Sequence, residues 1–376
     1  MDYEKFSGLV NSASALSLSA NLLSAYGSAD TEQLVTPPTF AGIDTFLLSP
    51  QRADGSHEHV VIDTRQSFAN RLTQKMAELG LTSHIKVITP EGKILTQGHE
   101  CPHGIFDAIL RDSNLDGLPW RESPIGKSLI DHDNSAALYR YAPETLLFGG
   151  WDSHGGSGLG VKMRRIVAVE IFGCNARLMP YSSSKSDPLA ISKSVGKMGY
   201  DANGQATLTE AAWVPALKDP KTGARTRLSG DPSELGHGQI VEKNPRPRGV
   251  WVEKIVLTGG IQLNELRKHP FGTPEACEAA RVALVASSLA GIYGLLEDGL
   301  PLRSGCDLVA SSAELKIVRS LAQAETLAMS SAIALELYEE AVERAGKAGL
   351  PRQTDQIVLI ATPSLIKARD LSAGEG

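Results

Sequence analysis

From Leu178 to Arg248 the chain is polar, carrying Ser182-Ser183-Ser184, scattered lysines and arginines, and a Pro-Arg-Pro-Arg run at 245–248. A stretch of that length and composition is not an ordinary connection inside a compact domain. Strand-like segments bound it on both sides. Ile166 to Phe172 is β-branched and aromatic with Glu170 inserted, and Val250, Trp251, Val252, Ile255 and Leu257 restore a strand pattern beyond it. The stretch at about 178–248 is therefore expected to be an inserted hairpin subdomain or a partly disordered segment interrupting a sheet. Strands alternating with helices around it point to a compact α/β or α+β core rather than a bundle or barrel.

The remaining segments fill in that core. Residues 1–36, rich in Ser, Ala and Leu, predict a helix, and Thr36-Pro37-Pro38-Thr39-Phe40-Ala41 then enforces an extended course before strand-like Gly42 to Leu48. Val60 to Leu81 reads as a short strand running into an amphipathic helix, with Phe68, Leu72, Met76 and Leu79 at helical spacing. Pro102 to Ser113 reads as helical, and Ser135 to Phe148 as a short helix or pair of turns. Thr273-Pro274-Glu275-Ala276 is a helix start with proline in the first turn. That helix is expected to run through Leu296 and a second from about Leu315 to Gly346, making the portion at about 274–346 helical.

Composition narrows the function classes. Hydrophobic residues at 42% and charged residues at 21% of 376 exclude a disordered or fibrous chain and allow one elaborated domain or two. Met-Asp-Tyr-Glu-Lys lacks the features of a signal peptide, and the apolar run Val282 to Leu296 is too short to span a bilayer, so a cytoplasmic protein with no membrane partner is expected. The four cysteines, Cys101, Cys174, Cys277 and Cys306, are scattered, which suits reduced, mostly buried thiols rather than a zinc site. Net charge is −6, but between Gly160 and Gly260 there are 15 Lys and Arg against 9 Asp and Glu, leaving 22 against 34 elsewhere. A local basic field steers a polyanion even on an acidic chain.

The densest candidate site runs from Phe148 to Arg165. Gly149, Gly150, Gly155, Gly156, Gly158 and Gly160 allow close backbone approach to an anion, and Lys162, Arg164 and Arg165 supply countercharge. The spacing matches neither a P-loop nor a dinucleotide fingerprint. The alternative is a mobile surface loop with solvated cations. Arg65, Gln66, Asn70 and Arg71 cluster near a helix start, where a solvated helical face with capping is the competing account. Asp131-His132-Asp133 offers a divalent-cation or acid/base site, or a polar loop capping the helix at Ser135.

Five ordered elements carry a family resemblance: Pro37 to Ala41; Asp63 with Ser67, Ala69, Asn70 and Arg71; Pro102-His103 with Phe106 through Ser113; Leu146 through Ser153; and Gly236-His237-Gly238-Gln239-Ile240. Together they resemble the Cas-seven-type RAMP backbone subunits of type I-G (formerly I-U) CRISPR effector complexes, the Csb family, over nearly the whole chain. Phe68 departs from the pattern, standing where those proteins carry a second polar residue. The resemblance implies a single α+β domain over 1–376, a modified ferredoxin-like, RRM-related core with finger and thumb extensions placed in the 178–248 insertion. It also implies no cofactor, no metal and no catalysis.

The partners so implied are CRISPR RNA, target DNA hybridised to that guide, neighbouring copies in a helical filament, and other effector-complex subunits. A subunit accepting any guide sequence grips phosphate and sugar and leaves base edges free, which fits an aromatic content of only 5%. The candidate RNA contacts are Lys162, Arg164 and Arg165, with Ser153, His154, Gly155 and Gly156 shaping the loop, and then Arg65, Asn70, Arg71, Lys127, His237, Gln239, Arg246 and Arg248. The rival reading is an enzyme: a hydrolase using Ser153 or Ser157 with His154 and an aspartate, or a metal nuclease using Asp131, His132 and Asp133.

Overall fold

The structure is a computed structural model that describes residues 1–27, 32–40, 46–130, 135–152, 161–180, 184–185, 187–191, 199–200, 206–207, 240–241, 247–319 and 324–373. The chain divides into two compact units, Met1–Arg177 with Val250–Ile366, and Leu178–Gly249 with Lys367–Gly376. In the second, the described residues include two short antiparallel ladders, Ser184–Lys185 with Ile240–Val241 and Gly199–Tyr200 with Ala206–Thr207.

The first unit is α+β. Its large sheet runs Leu300–Arg303, Cys306–Val318, Ala15–Ser24, Lys254–Ile261, Val167–Pro180, Pro247–Val252 and Gln33–Val35, with Ala324–Leu327 pairing Cys306–Val318 and His57–Asp63 pairing Val167–Pro180. Strand Ala15–Ser24 shows how the sequence builds it. Leu16, Leu18, Ala20 and Leu22 are buried while Ser17, Ser19 and Asn21 face water, the alternation of an antiparallel strand with one covered face. It pairs antiparallel with Lys254–Ile261 and Cys306–Val318, aligning Leu18 with Gly259 and Leu315. At Gly259 a Cβ would lie 2.3 Å from the Ala168 carbonyl oxygen, and at Gly260 2.4 Å from that of Leu16. Those two glycines let three strands close on one another.

The Pro274–Asp298 helix is N-capped by Thr273, whose side chain accepts from the Ala276 N–H. Every residue from 282 to 294 is buried, and the helix packs against the Tyr3–Ser12, Arg65–Glu78 and Ser331–Lys347 helices. A Cβ on Gly291 would meet Leu72 Cδ1 at 2.6 Å, which marks the crossing with the Arg65–Glu78 helix. With 25 residues this helix is long and apolar enough to cross a membrane, contrary to the expectation from the shorter 282–296 run, and its apolar stretch is 89% buried inside the protein. A smaller mixed sheet orders Ile94–Gln97, Ile85–Ile88, Ile357–Ala361, Ser113–Leu115 and Leu118–Pro119, with Ile357–Ala361 parallel to Ile85–Ile88.

Several expectations need correction. The segment read as a helix from about Leu315 is strand through Val318, a further strand at Ala324–Leu327, and helix only over Ser331–Lys347. Leu315, Lys316, Ile317 and Val318 pair with Leu18, Ser17, Leu16 and Ala15, and this pairing overrides the local helical composition. Residues 1–36 hold the Tyr3–Ser12 helix but also that long strand. Pro102 to Ser113 is mostly turns, with a 3-10 turn at Gly104–Phe106 and a four-residue helix at Ala108–Arg111. Most of the strand expected at Gly42 to Leu48 lies outside the described residues.

Candidate functional site

Thr64 starts the Arg65–Glu78 helix by accepting from the Ser67 N–H. Phe68, Ala69, Leu72 and Met76 are buried, so Phe68 belongs to the core and is no contact position. The stripe Gln66, Asn70 and Thr73 lies at helical spacing and lines a groove of about 440 Å³. The opposite wall comes from His103 and Gly104, Phe148 to Trp151, and Lys162, Met163 and Arg165. A neighbouring cavity of about 730 Å³ continues along the same helix to Gln74, Glu78 and the turn at Gln97 to Pro102.

The hairpin wall follows from its register. Gly150–Asp152 pairs with Val161–Met163, setting Trp151 opposite Lys162. Strand alternation sends the neighbouring Asp152 inward, where the Arg121 guanidinium grips it at 2.9 and 3.1 Å. Trp151 therefore points outward, 48% exposed, with Lys162 Nζ 5.5 Å from its ring centroid and His103 edge-on at 6.2 Å. Gly149 and Gly150 serve packing rather than anion capture. The Gly149 N–H caps the preceding helix at the Thr145 carbonyl, and a Cβ there would lie 2.6 Å from the Met163 carbonyl oxygen. A Cβ on Gly150 would press on Thr145 at 3.0 Å and Phe106 at 3.1 Å.

The candidate cations sort by partner. Arg71 bonds buried Asp63 at 3.2 Å and the Leu302 carbonyl at 3.3 Å, tying its helix to the sheet. Burial pushes the Asp63 carboxyl up from its ordinary range, against hydrogen bonding by Ser67 and the Arg71 charge. Arg65 meets Glu170 at 2.7 Å, Arg164 meets Glu265 at 3.2 Å and Lys127 meets Glu122 at 3.2 Å. Lys162 and Arg165 have no carboxylate among the described residues. Arg165 donates to the Phe148 carbonyl at 3.3 Å and to Gln66 Oε1. Burial, then the Arg65 charge, lowers its pKa from the usual guanidinium value. A desolvated cation beside a like charge is stabilised by an anion.

Asn70, Lys162 and Arg165 thus share one groove, whereas Arg71, Arg164 and Lys127 are not in its wall. Ser153, His154, Gly155, Gly156, Asp131, His132, Asp133, Ser157, His237, Gln239 and Arg246 lie outside the described residues, as does the side chain of Arg248. Sequence reasoning left three wall residues without a role: Gln66, His103 and Trp151. All three stood within motifs or clusters already singled out. Buried polar atoms without partners in the groove wall are Thr145 Oγ1 and His99 Nδ1. Among the described residues no three His, Cys, Asp or Glu converge as a metal site. Burial pushes the Cys101 and Cys306 thiols up to about 12, away from the reactive thiolate form.

This groove lies wholly within one recognisable stretch. Residues 16–178 match the family described as CRISPR-associated protein GSU0053 (Cas_GSU0053). The match covers less than half of the chain and spans both walls of the groove. No curated protein matches the chain.

Proposed function

We propose that this chain is a non-catalytic, RNA-binding backbone subunit of a type I-G CRISPR effector complex. The α+β core is read as a modified ferredoxin-like, RRM-related RAMP palm, with the 178–248 insertion supplying finger or thumb. Copies assemble along CRISPR RNA in the cytoplasm, alongside other effector subunits, and present the guide for pairing with target DNA.

The observation that carries this reading is the partner pattern at the groove. Two cations, Lys162 and Arg165, have no carboxylate among the described residues and face the amide stripe of Gln66 and Asn70. Amides and unpaired cations suit phosphate and sugar, which hold a nucleic acid without reading its sequence. The family match over residues 16–178 supports RNA as the polyanion.

The test is to purify the protein, treat half with ribonuclease and compare particle size and the ratio of ultraviolet absorbance at nucleic-acid and protein wavelengths. RNA-bearing particles that collapse on treatment are expected. A small, RNA-free species that also ignores added guide RNA would overturn the reading, and metal-dependent RNA cleavage would restore the nuclease alternative.

A further inference from the structure

Trp151 stands 48% exposed in the wall of the groove. Its strand and one edge of its ring are fixed. Its strand is locked by the Arg121 fork on Asp152, Gly150 seats the hairpin on Phe106 and Thr145, and the ring stands edge-on to His103. A fixed strand lowers the ordering cost when a flat partner arrives. The same wall carries Lys162 and Arg165, so a π face and two cations without carboxylate partners among the described residues lie along one groove.

A planar ring next to an anion is the chemistry of a nucleotide. Aromatic side chains stack on any base without reading its edge, and nearby cations take the phosphate. An apolar peptide anchor fits less well, because the rest of the stripe is Gln66, Asn70 and Thr73.

We propose that Trp151 is a stacking platform for one unpaired RNA base, with the adjoining phosphate held by Arg165 and Lys162. This rests on the RNA-binding reading above and adds a base contact to it. Lys162 lies over the indole in this structure. Its flexible stem lets the ammonium exchange the ring for the phosphate as the base stacks. The subunit then fixes one base against itself while its remaining contacts stay independent of sequence.

The experiment compares binding of single-stranded RNA with binding of an abasic ribose-phosphate oligomer of equal length, for wild type, Trp151→Ala and Trp151→Phe. Unchanged thermal unfolding of each variant confirms that it is folded. The expected result is that RNA binds wild type about ten-fold or more tighter than the abasic oligomer. Trp151→Ala should close most of that gap and Trp151→Phe should keep most of it. If RNA and the abasic oligomer bind wild type equally, the base platform is wrong while the phosphate site stands. A gap that survives in Trp151→Ala places the base contact elsewhere and also overturns the proposal. If neither oligomer binds, the RNA reading itself falls.

Discussion

Two sets of cations with the same charge have opposite kinds of partner. Arg71 and Arg121 each grip a buried carboxylate, Asp63 or Asp152, and each pair ties one element to another inside the core. Lys162 and Arg165, on or just beyond the hairpin strand Val161–Met163, find a ring, a carbonyl and an amide instead. Charge in the sequence does not separate these sets; the partner does. A cation neutralised by a buried carboxylate holds the fold together, whereas one left with neutral groups keeps its field for a ligand.

Removing the first set should break the fold. Arg71→Ala removes the charge partner of buried Asp63, and Arg121→Ala removes that of buried Asp152; each should cost about 3–5 kcal/mol in urea unfolding. In Arg71→Ala, stability should recover in part as pH falls. The Asp63 carboxyl is raised in the folded state, so the fold takes up its proton before the unfolded chain does, and stability rises as pH drops. A loss no larger than that of an exposed arginine would erase the contrast between the two sets.

Gly150→Ala sharpens the comparison from the packing side. Its new methyl group meets Thr145 and Phe106 at about 3 Å, and overpacking of that kind costs about 1–3 kcal/mol. Because Trp151 is the next residue, RNA affinity should fall with stability here, unlike in Lys162→Ala, where only affinity falls. The smallest effects belong to Lys127→Ala and Arg164→Ala. Both side chains are exposed and carboxylate-paired, so urea midpoints should match wild type. RNA affinity should also change less than in Arg165→Ala.

The parts legible in the sequence are those set by near neighbours. Phe68, Leu72 and Met76 at helical spacing marked one helix, and Thr273 before Pro274 marked the start of another. Cys306–Val318 was not legible as a strand, because its pairing with Ala15–Ser24 is the decisive contact and lies across the chain. The site behaved the same way. Glycines and cations drew attention to the 148–165 segment, yet the partners that divide the cations sit far off in sequence, such as Glu170 for Arg65 and Glu265 for Arg164. Trp151 was overlooked because low aromatic content argues about the whole surface, and a single ring in a groove escapes that average.

The most direct test is the salt dependence of single-stranded RNA binding by wild type and by Lys162→Ala/Arg165→Ala. Each phosphate contact removed on a single strand lowers the slope of log affinity against log salt by about 0.7. The double variant should therefore lose about 1.4 from its slope while unfolding like wild type. An unchanged slope would mean that the cations without carboxylate partners do not touch RNA, and the distinction between the two sets would fail.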